Sequence, residues 1–174
     1  SRTDDVPAAL CNYAGVHHPV EAPIDTTNHG VLFLNSQVRF ADVYDGISQT
    51  IFVGEMIRSP EDLGWASGTR ATLRNGGLGL NMMPGTGRYY NDPDPTTEET
   101  RSQYIGAHSE FDERLDDATR AEAALWVGGF DSRHVGGGHF SRGDGAVTFL
   151  SENIDVDLFR NLLDRADGSA VDEF

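Results

Sequence analysis

Two histidines in the C-terminal third of the chain, His134 and His139, are candidate metal ligands. They stand five positions apart across a valine and three glycines, and His17 and His18 form an adjacent pair near the start of the chain. Neither pair has the His-Glu-x-x-His spacing of a zinc site, and the single cysteine has no partner thiolate. Histidine beside a glycine-rich turn often donates its ring N–H to a backbone carbonyl. We therefore predict structural histidines, with metal ligation as the alternative.

Carboxylates offer a second ligand set, suited to calcium because that ion prefers hard oxygen ligands. Asp92 and Asp94 share one loop, which Pro93 and Pro95 stiffen. No segment matches the helix–loop–helix calcium pattern, so these two aspartates are the candidate calcium ligands and a solvated acidic loop is the alternative. No other cofactor is indicated, because a glycine-rich phosphate loop needs a lysine and the chain has none.

Covalent catalysis and sugar binding are the remaining chemistries. Ser132 does not lie in the Gly-x-Ser-x-Gly elbow of a serine hydrolase. A single cysteine such as Cys11 usually serves as a small buried apolar residue and not as a nucleophile. A His134/Asp144 hydrolase would lack a nucleophile. We therefore predict no catalytic residues and no enzyme. Four aromatic side chains would form a sugar-binding platform if exposed, or core if buried: Trp65, Trp126, Tyr89 and Tyr90.

Composition excludes several partners. The 174 residues include 13 arginines, no lysine and 28 carboxylates, for a formal net charge of −15. Such a chain lacks the basic face that nucleic acid or an anionic membrane surface requires. Its length predicts one domain, residues 1–174, and no apolar run approaches the roughly 20 residues of a membrane span.

Local patterns predict a strand-dominated α+β fold. The first thirty residues, punctuated by three prolines, are predicted to be loop. Strands are predicted at Gly30–Leu34, Val38–Phe40 and Ile51–Met56, and short strands with loops over residues 64–90. Asp42 is predicted to cap a turn or short helix.

The C-terminal third has clearer signals. A surface helix is predicted over residues 115–125. Asp144-Gly145 stands between two strand-like runs, 140–142 and 146–150, which predicts a hairpin. An amphipathic helix is predicted to begin at Asn153 or Asp155 and to end at Asp167-Gly168, before a last strand over residues 170–174.

Several short motifs follow one another along the chain in a characteristic order. His134, after Ser132-Arg133, precedes nine residues and then Asp144-Gly145; Val53-Gly54-Glu55 and Asn12-Tyr13-Ala14-Gly15 come earlier in the chain. In these motifs the chain resembles a large planctomycete family of prepilin-like, or pseudopilin-like, proteins of unknown function. The resemblance runs from about Asn12 to Phe174 and is weakest over residues 64–125. His139 stands where the family commonly has asparagine, and Val135 where it usually has proline.

The resemblance implies a single pilin-like head: an antiparallel β-sheet with long loops and one C-terminal amphipathic helix. It implies a non-enzymatic structural or secretion-associated domain outside the cytoplasm, in the cell envelope or at the cell surface. Expected partners are other pilin-like or envelope proteins or further copies of the chain, and the membrane would be reached only through an N-terminal prepilin helix that this chain lacks.

The resemblance gives the motif residues architectural roles. Asp144 and Gly145 would make the hairpin turn and His134 would bridge its neighbouring loop, while Arg133, Gly54 and Glu55 belong to the same motifs. The alternative function is a carbohydrate- or calcium-binding module of the envelope.

Overall fold

The computed structural model describes Ala9 and residues 11–57, 64–82 and 125–169. Within these ranges the elements are β1 (Tyr13–His18), β2 (Ile51–Glu55), β3 (Leu73–Asn75), β4 (Gly137–Arg142), β5 (Val147–Ser151), one α-helix, α1 (Val156–Leu163), and a short 3-10 helix (Phe40–Asp42). The predicted strand-dominated α+β class is confirmed. None of the helices in the described ranges is long and apolar enough to cross a membrane.

The five strands form one mixed sheet in the order β3-β1-β2-β4-β5. Three neighbouring pairs, β1–β2, β2–β4 and β4–β5, are antiparallel, in agreement with the antiparallel sheet that the resemblance implies. The fourth pair, β1–β3, is parallel and was not predicted. Parallel neighbours need a crossover connection, and the chain supplies it by forming β2 on one side of β1 before returning to the other side as β3.

Strand β1 shows that the prediction of loop for the first thirty residues is wrong. Ala14 and Val16 are buried in the core, and His17 is fully buried as well. The His17 ring is satisfied by two amides, with Nδ1 3.2 Å from Asn28 Oδ1 and Nε2 3.3 Å from Asn75 Nδ2. Because small and polar residues fill much of this strand, its sequence lacks the apolar alternation that marks a strand.

The predicted strand at Gly30–Leu34 is also wrong, because this segment bends against β1. The backbone amide of Gly30 donates to the His17 carbonyl at 2.8 Å, and that of Leu32 donates to the Val16 carbonyl at 3.0 Å. Its apolar residues therefore cover the strand that the sequence pattern did not reveal.

No strand forms at Val38–Phe40 either, since the 3-10 helix begins at Phe40. Asp42 lies inside this turn and not at its cap. Its carboxylate accepts the backbone amide of Arg39 at 2.9 Å and also pairs with the Arg39 guanidinium. These local hydrogen bonds favour a helical turn over an extended strand.

The hairpin of β4 and β5 lies where Asp144-Gly145 predicts it. The backbone amide of Gly145 donates to the Arg142 carbonyl at 3.0 Å, and the amide of Arg142 donates to the Ala146 carbonyl at 2.9 Å. Gly145 has a φ of +86°, while Asp144 does not enter the positive region. The turn therefore depends on one left-handed residue, and the Asp144 carboxylate supports it by accepting the Ala146 amide.

Helix α1 confirms the predicted amphipathic helix and its cap at Asp155, whose carboxylate accepts the amides of Asp157 and Leu158. The helix ends at Leu163, with Asp164 as its C-cap, earlier than the predicted end at Asp167-Gly168. Gly168 has a φ of +80° but lies beyond the helix cap. The buried face of the helix consists of Phe159, Leu162 and Leu163.

The core lies where α1 packs on the sheet. Phe130, Phe140 and Phe159 are fully buried and meet edge to face, with ring centroids 5.4 to 6.4 Å apart. The predicted helix over 115–125 and the predicted last strand over 170–174 lie outside the described residues, apart from Leu125.

Candidate functional site

A cluster of one carboxylate and two histidines lies where β2 meets β4. Gly54 pairs with Phe140 in the antiparallel register, so Glu55, the next residue, comes opposite His139. His134 lies in the turn that precedes β4. The sheet thereby joins a strand end at residue 55 to a segment about 80 residues further along the chain.

The Glu55 carboxylate is held at both oxygens. Its Oε2 accepts hydrogen bonds from the Ser132 hydroxyl and from the backbone amide of His139, each at 2.8 Å. Its Oε1 lies 3.2 Å from His134 Nε2, and the His139 Nδ1 lies 3.5 Å from Oε2. The two imidazole rings stand nearly perpendicular, with centroids 4.8 Å apart.

Electrostatics keep Glu55 ionised. Desolvation acts to raise the pKa of this carboxyl, but the His139 amide, the Ser132 hydroxyl and the nearby histidines outweigh it, and the pKa is lowered. The Glu55 side chain is only 13% exposed, whereas those of His134 and His139 are 53% and 41% exposed. The cluster is thus a fixed negative charge beside two rings that reach solvent.

A pocket of about 400 Å³ opens beside the cluster. Glu55 and His134 lie in its wall, with Asn12, Tyr13, Met56, Ile57, Asp131, Ser132 and Arg133. Residues of two earlier motifs, Asn12-Tyr13 and Glu55, therefore line the same opening as Ser132-Arg133-His134.

Ser132 takes part in this site as a hydrogen-bond donor. Its hydroxyl donates to Glu55 and accepts the backbone amide of His134 at 3.1 Å. Its own amide donates to Asn81 Oδ1 at 2.7 Å, and Asn81 Nδ2 in turn donates to Glu152. Sequence reasoning did not find Asn81, since no local pattern marks a residue whose partners are 51 and 71 positions away.

The structure separates the two ends of the C-terminal motif. His134 precedes β4 and Asp144 follows it, so a strand of six residues, roughly 20 Å long, lies between them. His134 contacts Glu55 through its ring. A His134/Asp144 pair is therefore not formed, and Arg133 between Ser132 and His134 is exposed.

Of the other predicted ligand residues, Trp65 and Trp126 lie in the described part of the chain, and neither lines the pocket. Trp65 is 60% exposed and Trp126 is half-buried. Tyr89, Tyr90, Asp92 and Asp94 lie outside the described residues. The sugar platform and the calcium loop stay predictions.

The fold and the site define a strand-dominated α+β domain with a carboxylate–histidine cluster at the end of its central strand. The family described as protein of unknown function (DUF1559) matches residues 3–157, and the chain belongs to that family. No curated protein and no solved structure matches the chain significantly.

Proposed function

We propose that this chain is a non-enzymatic, pseudopilin-like structural or secretion-associated domain that acts outside the cytoplasm, in the cell envelope or at the cell surface. The observation that carries the proposal is the contact between Glu55 and His134. These residues come from two separate motifs of the resemblance, and together with Ser132 they tie the end of β2 to the segment before β4. The motif residues thus serve the architecture of the head.

The geometry around Ser132 supports a structural role over hydrolysis. A serine nucleophile needs a base that takes its proton. The Ser132 hydroxyl donates to Glu55, whose lowered pKa makes it a weak base for that task. Ser132 is the one serine among the described residues of the pocket wall, and its hydroxyl is bonded to Glu55 and to the backbone amide of His134.

The charge of the chain supports an exposed assembly domain. A net charge of −15 keeps the head soluble and disfavours nucleic acid as a partner. The expected partners are other pilin-like or envelope proteins or further copies of this chain. Contact with the membrane would need the prepilin-type helix that the resemblance implies.

Location tests the proposal first. Immunogold electron microscopy of native cells, with a deletion strain as the control, should place the label on the envelope or on surface filaments. Label spread through the cytoplasm would contradict the proposal.

Because the chain contains no lysine, carbodiimide cross-linking can identify its partners specifically. A carbodiimide couples carboxylates to amines, and this chain offers 28 side-chain carboxylates but no side-chain amine. When the purified 174-residue chain is cross-linked in a whole-cell extract, products therefore join this chain to lysines of another protein, or to another copy only through its terminal amine. Mass spectrometry should identify pilin-like or envelope proteins, and a set composed of cytoplasmic enzymes would refute the assignment.

A further inference from the structure

We propose that Glu55, His134 and His139 bind a divalent transition-metal ion, for which Zn²⁺ is the best-suited probe. One ligand atom from each residue can be chosen so that all three lie within 4.8 Å of one another. Imidazole and carboxylate together are a common ligand set for zinc. This site goes beyond the proposed structural function and does not depend on it.

The distances come close to those of a tetrahedral centre. Metal–ligand bonds of roughly 2.0–2.2 Å at the tetrahedral angle place neighbouring ligand atoms about 3.4 Å apart. In the structure, Glu55 Oε1 is 3.2 Å from His134 Nε2, and the other oxygen, Oε2, is 3.5 Å from His139 Nδ1. With one ligand atom taken from each residue, the separations lie within 4.8 Å. Both rings are about half exposed, so small side-chain rotations can close the remaining gap.

The carboxylate is already oriented for this task. Glu55 Oε2 accepts the Ser132 hydroxyl and the His139 amide, which leaves Oε1 on the side of His134. Such outer hydrogen bonds hold a ligand in place and typically matter for metal affinity by about 10–100-fold. The cost of ordering Glu55 has therefore been met by the fold before any ion binds.

The donor set discriminates between ions. Calcium takes six to eight oxygen ligands, whereas two of the three donors here are imidazole nitrogens. Three protein ligands also leave one position of a tetrahedral ion open. That position would face the pocket that Glu55 and His134 line, where water or a partner's side chain could complete the coordination.

Calorimetric titration of the chelator-treated, full 174-residue protein with Zn²⁺, in a buffer that does not bind metal, tests the site. We expect one ion per chain. His134→Gln and His139→Asn should each weaken the affinity at least tenfold, because each removes one ligand and leaves Glu55 and the backbone amides in place.

His29→Gln is the matched control. His29 also stands beside a carboxylate, with Nδ1 3.4 Å from Asp164 Oδ2, but it is not part of the three-residue cluster. Its zinc affinity should equal that of the unaltered protein. Thermal unfolding of all three variants shows whether each one is folded at the titration temperature.

Cobalt gives a second, spectroscopic measurement. Co²⁺ bound by the cluster should show visible absorption that zinc abolishes and that His134→Gln lacks, while calcium in large excess leaves it unchanged. The proposal is overturned if the unaltered protein does not bind zinc, if His134→Gln binds it equally well, or if calcium displaces the cobalt. Those outcomes would leave the envelope assignment standing.

Discussion

Gly54→Ala should destabilise the protein by about 1–3 kcal/mol, the usual cost of forcing extra volume into a packed core. A Cβ at Gly54 would stand 2.6 Å from Cδ1 of Phe140 and 2.8 Å from Cδ1 of Phe130, and closer still to Cε1 of Phe140. Carbon atoms normally pack about 3.5–4.0 Å apart. Both rings are fully buried and are held by edge-to-face contacts with each other and with Phe159, so neither can move away freely.

Thermal and denaturant unfolding measure this loss. For a chain of this size each kcal/mol lowers Tm by roughly 2–4 °C, so a fall of about 2–12 °C is expected. Gly79→Ala is the matched control, because among the described residues its new Cβ would meet only Cγ of the exposed Met82, at 3.3 Å. Its stability should stay within about 0.5 kcal/mol of the unaltered protein.

A double-mutant cycle decides whether steric overlap is the cause. Phe140→Leu removes the ring that the new methyl group meets, so Gly54→Ala should cost at least about 0.5 kcal/mol less in that background. Strictly additive effects, or a Gly54→Ala variant as stable as Gly79→Ala, would refute the packing argument.

Three further predictions concern other parts of the fold. Gly145→Val should cost about 1–3 kcal/mol because the residue holds a φ of +86°. No atom of the described residues lies within 4 Å of the added Cβ, so the expected loss comes from backbone strain, and an unaltered denaturation midpoint would contradict this. Burial lowers the pKa of His17 to about 4. Since an unfolded histidine titrates near 6.5, the unfolded chain binds the proton first as pH falls from 7 to 4, and the unfolding free energy should drop by about 3 kcal/mol from this group. The unfolding free energy of His17→Gln, measured by denaturation at several pH values in that range, should fall less with decreasing pH than that of the unaltered protein. An equal pH dependence would disprove the assignment. Calcium at a hundredfold excess over its dissociation constant should add about 2.7 kcal/mol if Asp92 and Asp94 bind it, and a Tm equal to that in chelator at matched ionic strength would dispose of that loop site.

The elements that could be predicted from the sequence are those whose determinants are local. The Asp144-Gly145 turn needs one residue able to adopt positive φ between two apolar runs. Helix α1 carries both its cap, Asp155, and its buried stripe within a few turns. Each signal lies within about ten residues, so a single sequence contains all of it.

Strand β1 could not be predicted because its stability comes from distant partners. His17 is acceptable in the interior only because Asn28 and Asn75 hydrogen-bond to it, 11 and 58 positions away. Without knowledge of those partners, a polar residue in a short segment indicates loop. The covering segment at residues 30–34 shows the converse, since its apolar residues suggested a strand and instead pack on one.

For the same reason, the sequence indicates only some residues of the candidate site. Separate motifs mark Glu55 and His134, whereas His139 is predicted to be structural because neither a His-Glu-x-x-His pattern nor a cysteine pair accompanies it. Spacing rules describe ligands that share one helix or loop. Here the ligands come together through the pairing of β2 with β4, which no local pattern encodes.

The strand order also has a consequence for folding while the chain is being synthesised. Strand β2 can pair with β1 as soon as residue 55 has emerged, but its other edge waits for β4, about 80 residues later. At a synthesis rate of roughly 5–20 residues per second, that edge stays open for about 4–16 s. An unpaired edge strand is a template for other chains. The closing hairpin and helix α1 then form from neighbouring residues, so completion of the sheet is fast once its last third has been made.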